Sequence, residues 1–142
     1  MNAKEYLLQV RYLDAAIKRL DKELNRARNE LITLRSSWPD GQPHGKGGKS
    51  DPVGNKAAKL ADDIIRIEEI QLMTRARLWR VRAEVVNTIG KVSDPLLQEI
   101  LYSHYVDGIK WEDVAADVGY TDRHIRNLHN VGLKQVDKII NG

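Results

Sequence analysis

The chain has 142 residues, no cysteine, no phenylalanine and a formal net charge of +3. That length allows one ordinary domain or two small helical parts. Without cysteine there is no disulfide, thiol nucleophile or cysteine-based zinc site. Leu, Ile, Val and Ala must fill the core, which suits an all-α fold.

The first predicted element is a long amphipathic helix. Tyr6, Val10, Leu13, Ile17, Leu20, Leu24, Ala27, Leu31 and Leu34 alternate in steps of four and three, a heptad seam. It can close on a second helix of the same chain, as an antiparallel hairpin, or on another subunit, with a homodimer favoured. Residues 36–54 then read as a linker, rich in Gly and Pro. Within it, HGKGGKS approaches a phosphate loop but puts Pro43 where the first glycine is required, so nucleotide binding is not expected. Lys46 and Lys49 belong to this solvated loop.

A second long helix is predicted from about Asn55 to Ile89. Leu60, Ile64, Ile67, Leu78, Val81 and Val85 mark one face, and Ile65, Ile70, Leu72, Met73, Trp79 and Val86 widen it enough to meet more than one neighbour. Arg75, Arg77, Arg80 and Arg82 are read as a solvated flank whose stems cover Trp79. Contact with nucleic acid or an acidic partner is the alternative. Gly90 to Val92 close the helix, and Ser93-Asp94-Pro95 opens a third, with Ser93 as the expected cap. Leu96, Leu97, Ile100, Leu101, Tyr105 and Val106 give that helix its buried side, and Asp107-Gly108 ends it.

The segment WEDVAADVGYTDRHIRNLHN carries the functional signal. Val114, Ala115 and Val118 form the inward side of a short helix, and Gly119 stands where a second helix must turn away sharply. Thr121 can cap that helix, with Ile125 and Leu128 on its buried side. The register is that of a helix-turn-helix, against the plainer reading of a helical bundle. Arg123, Arg126 and Asn127 are then the leading base readers, flanked by Asp122 and Asn130. Arginine pairs with guanine and asparagine with adenine. Thr121, His124 and Lys134 are candidates for phosphate contact, helped by free amides at the helix start. Ordinary solvent exposure is the alternative for all of them. Trp111, Tyr120, His104 and His129 are assigned to packing or polar contacts.

Charge complicates this reading. Residues 1–56 carry 11 basic and 7 acidic side chains, residues 57–92 carry 7 and 5, and residues 93–142 carry 5 and 8. The candidate reader is net acidic, so tight binding to double-stranded DNA calls for two copies, help from the helical arm, or a partner already on DNA. The acidic face of Glu112, Asp113 and Asp117 suits a basic patch on the transcription machinery, host RNA polymerase included. No metal site or cofactor is expected: His124 and His129 are five apart and turn away from each other, and no nucleophile or carboxylate dyad accompanies the histidines, His44 among them. No apolar run approaches the roughly 18 residues of a membrane span, and the N-terminus lacks a signal-peptide pattern. A cytoplasmic, non-enzymatic protein is expected.

The run DPLLQEILYSHYVDGIKWEDVAADVGYTDRHIRNLHNVGLKQV resembles the final DNA-reading region of sigma factors of the sigma-seventy class. The whole layout resembles phage transcriptional regulators of the ArpU and RinA type. Arg126 matches a family arginine, and Asn127 replaces a glutamine. Asp122 and Arg123 replace arginine and glutamate, so the promoter sequence preferred by sigma factors does not carry over to this chain. Gly132 replaces an alanine and Lys110 a serine or threonine cap, changes expected to loosen two helix junctions. The resemblance implies a coiled arm over 1–92, a sigma-like reader over 93–142, and activation of phage late or packaging genes. A small terminase-like packaging initiator and a helical adaptor are the alternatives.

Overall fold

The computed structural model describes residues 1–37 and 52–142. The phosphate-loop near miss and Lys46 and Lys49 of the linker lie outside them. Every regular element among the described residues is helical: α1 (Ala3–Ser36), α2 (Pro52–Gly90), α3 (Pro95–Leu101) running into a π turn (Tyr102–Val106), α4 (Trp111–Val118) and α5 (Asp122–Asn141). None of these helices is long and apolar enough to cross a membrane. The chain forms two compact units, residues 16–75 and residues 1–15 with 76–142.

In the unit of residues 16–75, α1 and α2 pass each other in opposite senses. Asp21 meets Gln71 and Arg75, Arg28 lies 3.8 Å from Glu68, and Glu30 lies 3.8 Å from Lys56. These ion pairs are about half exposed and each contributes little. Burial of Ile17, Leu24, Leu31 and Ala57 supplies the larger share. Leu20, Ala27 and Leu34, from the same seam, are half-buried.

The other unit positions the candidate site. Asn2 and Glu5 form a reciprocal capping box at the start of α1. The Glu5 amide donates to Asn2 Oδ1 at 2.8 Å, and the Asn2 amide donates to Glu5 Oε2 at 3.2 Å. Asp137, from α5, accepts a further bond from the Ala3 amide at 2.6 Å. Below this cap, Leu7 and Val10 of α1 pack with Val81, Val85 and Ile89 of α2, and with Leu97, Leu101, Tyr105 and Val136. Leu13 packs half-buried against them. A smaller cluster joins Ile100, Val114, Ala115 and Ile125, and Trp111 and Leu128 touch both.

The joint between α2 and α3 differs from the sequence expectation. Asp94, not Ser93, caps α3, its Oδ1 accepting from the Leu96 amide at 2.9 Å. Ser93 is engaged elsewhere, donating from its amide and hydroxyl to Gln135 Oε1 of α5. Gln98 donates to the carbonyl of Val92 at 2.6 Å and that of Gly90 at 3.2 Å, tying off the end of α2. A Cβ at Gly132 would stand 3.2 Å from Leu101 Cδ1, so the glycine of α5 lies directly against the Leu101 side chain of α3.

Tyr102–Val106 leave the α-helical register. The Asp107 amide reaches back to the Tyr102 carbonyl at 3.1 Å, a five-residue span. The wider turn lets three consecutive side chains, His104, Tyr105 and Val106, all be buried. Gly108, at φ +72°, then redirects the chain toward α4.

Candidate functional site

The site is built on the turn between α4 and α5. No side chain caps the start of α4 at Lys110, though Glu112 and Asp113 lie in the first turn, where negative charge suits the helix dipole. Gly119 ends α4 at φ +74°, the left-handed region that favours glycine. The Tyr120 amide then donates to the Ala115 carbonyl at 3.0 Å, and the Gly119 amide to that of Ala116 at 3.3 Å. Thr121 is extended, and its hydroxyl oxygen accepts from the His124 amide at 3.2 Å to start α5. Three residues thus stop one helix and start the next.

Both helices face inward through Val114, Ala115 and Ile125 against Ile100, with Val118 and Leu128 half-buried beside them. Thr121, Asp122, Arg123, His124, Arg126, Asn127, Asn130 and Lys134 are all exposed. Turning about 100° per residue from the buried Ile125 places Arg123, Asn127, Asn130 and Lys134 on the opposite, outer ridge of α5. Arg126 instead lies on the flank and lines a cleft with Lys4, Glu112 and Asp122, above Trp111, Ile125 and His129. His124 packs edge-on against the half-exposed Tyr120, with ring centres 4.5 Å apart. Glu112, Asp113 and Asp117 are exposed on α4.

Behind the ridge sits a box of four rings. His104 stacks on Trp111 at 3.8 Å, and Trp111 lies 4.4 Å from His129. His104 Nδ1 donates to the Ile109 carbonyl at 2.8 Å, and the Tyr105 hydroxyl lies 2.5 Å from His129 Nε2. Burial, then the nearby His104 and Lys4, pushes His129 down to about 4. Burial likewise lowers His104 and pushes Tyr105 up to about 12. His129 is therefore neutral near pH 7 and shares a hydrogen bond with the neutral Tyr105 hydroxyl through Nε2. Through Tyr105, Trp111 and His129, the box fastens the π turn to the start of α4 and to α5.

The sequence reading missed two participants. Lys4 lines the same cleft as Arg126, and Asp137 anchors the α1 terminus that carries it. Only folding joins positions so far apart in the chain. The acidic balance also changes once the whole unit is considered. Residues 1–15 carry two basic and two acidic side chains and residues 76–92 carry four and one, so the unit as a whole is neutral. Among the described residues, no three His, Asp or Glu side chains gather where they could hold a metal ion.

Comparison with protein-family profiles, curated proteins and solved structures gave no match.

Proposed function

We propose that this protein is a sequence-specific double-stranded DNA-binding regulator of transcription whose reading element is a helix-turn-helix formed by α4 and α5. The observation that carries the reading is the joint itself. A left-handed Gly119 and the Thr121 cap direct Ile125 and Leu128 inward, leaving Arg123, Asn127, Asn130 and Lys134 as one outer ridge. In such an arrangement the second helix enters the major groove, where its first turns meet base edges. Arg123, Arg126 and Asn127 are assigned to bases, with Asp122 and Asn130 at the margins. Thr121, His124 and Lys134 are assigned to phosphates, and Lys4 joins them from the cleft it shares with Arg126. The rest of α1 and α2, running past each other over residues 16–75, forms a helical hairpin arm.

The resemblance to the last reading region of sigma-seventy-class factors, and to regulators of the ArpU and RinA type, supports activation of phage late or packaging genes as the role. It also supports host RNA polymerase as a partner for Glu112, Asp113 and Asp117. Enrichment of genomic fragments by the purified protein at physiological salt tests the reading. A short recurring site should be recovered by the wild-type protein and lost by Arg123→Ala/Arg126→Ala. Equal low recovery by both proteins would sink independent DNA reading.

A further inference from the structure

We propose that the outward face of α2 binds a second copy of this chain, laid antiparallel. This goes beyond the DNA-reading proposal and does not rest on it.

The seam of α1 that offered itself for dimerisation is already used. Val10, Ile17, Leu24 and Leu31 are buried within the chain. α2 buries one side of itself in the same four–three rhythm, from Ala57 through Leu78 to Thr88. A second apolar line runs along the helix well over a quarter turn away. Ile65, Leu72, Trp79 and Val86 are spaced by sevens, with the small Ala76 and Ala83 between the last three and Met73 alongside. Unlike the inner line, it is open to solvent: Ile65 is 56% exposed, Leu72 71%, Met73 73% and Trp79 70%. Large side chains held in water at heptad spacing on one helix are what a coiled-coil partner covers. A tryptophan with an arginine over its ring, here Arg82 at 5.8 Å, is a frequent interface anchor.

The charge pattern identifies the occupant and its direction. The earlier half of this stretch carries Asp62, Asp63, Glu68 and Glu69 against Arg66, and the later half Arg75, Arg77, Arg80 and Arg82 against Glu84, with Glu68 and Arg75 also paired within the chain to Arg28 and Asp21. A parallel second copy would lay arginine over arginine. An antiparallel copy centred near Leu72 lays the carboxylates of each chain over the guanidiniums of the other, and sets Ile65 of one copy within a turn of Trp79 of its partner. The face is thus complementary to itself in one orientation. Both helices are formed before they meet, so association avoids the cost of ordering them.

Sedimentation equilibrium without DNA, over rising protein concentration at physiological salt, tests this. The mass should climb from the 16.2 kDa of one chain toward twice that value. Leu72→Glu should hold it at one chain while circular dichroism shows helix content unchanged, because Leu72 is already 71% exposed in the single chain. Two charge variants, Asp62→Lys/Glu69→Lys and Arg77→Glu/Arg80→Glu, should each be monomeric alone and pair when mixed. A wild-type mass fixed at one chain up to about 100 µM would overturn the proposal. So would a folded Leu72→Glu protein that keeps the wild-type mass, or charge variants that stay monomeric on mixing. Because mass is read without DNA, failure here and failure of DNA reading are separate results.

Discussion

Gly119→Ala tests whether the joint between α4 and α5 is held as described. Gly119 sits at φ +74° and ψ +27°, and a Cβ built there meets no atom within 4 Å. Steric crowding is therefore removed from the estimate and the backbone term stands alone. An L-residue in the left-handed region costs about 1–2 kcal/mol. Alanine also narrows the unfolded ensemble, which offsets roughly 0.4–1 kcal/mol of that. The expected net loss is about 1 kcal/mol. Gly119→Asn should lose less, because asparagine tolerates this conformation better than alanine. Urea denaturation followed by circular dichroism reads both variants, with an unchanged slope confirming that compactness is unaltered. An alanine variant as stable as wild type, or an asparagine variant less stable than the alanine one, would refute the argument that conformation and not space selects glycine here.

Acidification should weaken the fold through the ring box. The His129 pKa is about 4 in the folded chain against an ordinary 6.5, so the unfolded chain takes up its proton first. Its contribution is complete above pH 6.5 and is lost as pH falls through about 4, and His104 is shifted in the same direction. The upper part of that window, above the range where carboxylates titrate, is decisive: a urea midpoint that holds or rises there would contradict the assignment. For DNA, Lys134→Ala should weaken binding uniformly across sequences and reduce the salt slope by roughly 1, as loss of one phosphate contact does. A change in preferred sequence with an unchanged slope would move Lys134 from the phosphates to the bases.

Local signals were legible in the chain, and long-range ones were not. Gly119 and Thr121 act on partners within five residues, so their spacing alone indicated where one helix stops and the next starts. The seam of α1 is equally local, being a periodicity, although periodicity could not say which partner buries it. At the start of α3 two neighbouring residues had the right chemistry for the cap. The outcome was decided by Gln135, forty-two residues away, which engages Ser93 and leaves the cap to Asp94. The side chain that Gly132 meets, Leu101, lies thirty-one residues earlier on α3, beyond the reach of local spacing. The π turn had no visible marker either, since it follows from the need to bury His104, Tyr105 and Val106 together. Placing Lys4 and Arg126 in one cleft required the fold of the whole unit.

That dependence gives a further expectation for a fragment cut from the chain at residues 93–142. The main core of its unit contains twelve buried residues. Seven of them, Ala3, Leu7, Val10, Val81, Val85, Ile89 and Val92, lie before residue 93. Removing these uncovers one side of Leu97, Leu101, Tyr105, Val106 and Val136. A fully buried apolar side chain contributes about 1.5–3 kcal/mol, so uncovering five by a fraction each removes on the order of 5 kcal/mol. A domain of about 50 residues has roughly 3–7 kcal/mol in total. The Asp137 bond to Ala3 disappears as well, and with it the anchor of the α1 terminus. The fragment should therefore show helical signal but broad, poorly dispersed NMR resonances and no cooperative urea transition, whereas the intact chain shows both dispersion and cooperativity. A fragment of residues 93–142 that unfolds cooperatively with dispersed resonances would refute this reasoning. It would mean that the smaller cluster of Ile100, Val114, Ala115 and Ile125 suffices to hold α4 against α5. The first turns of α1 and the end of α2 would then dock on a helix pair already formed, and Lys4 would be an addition to its surface rather than a product of its core.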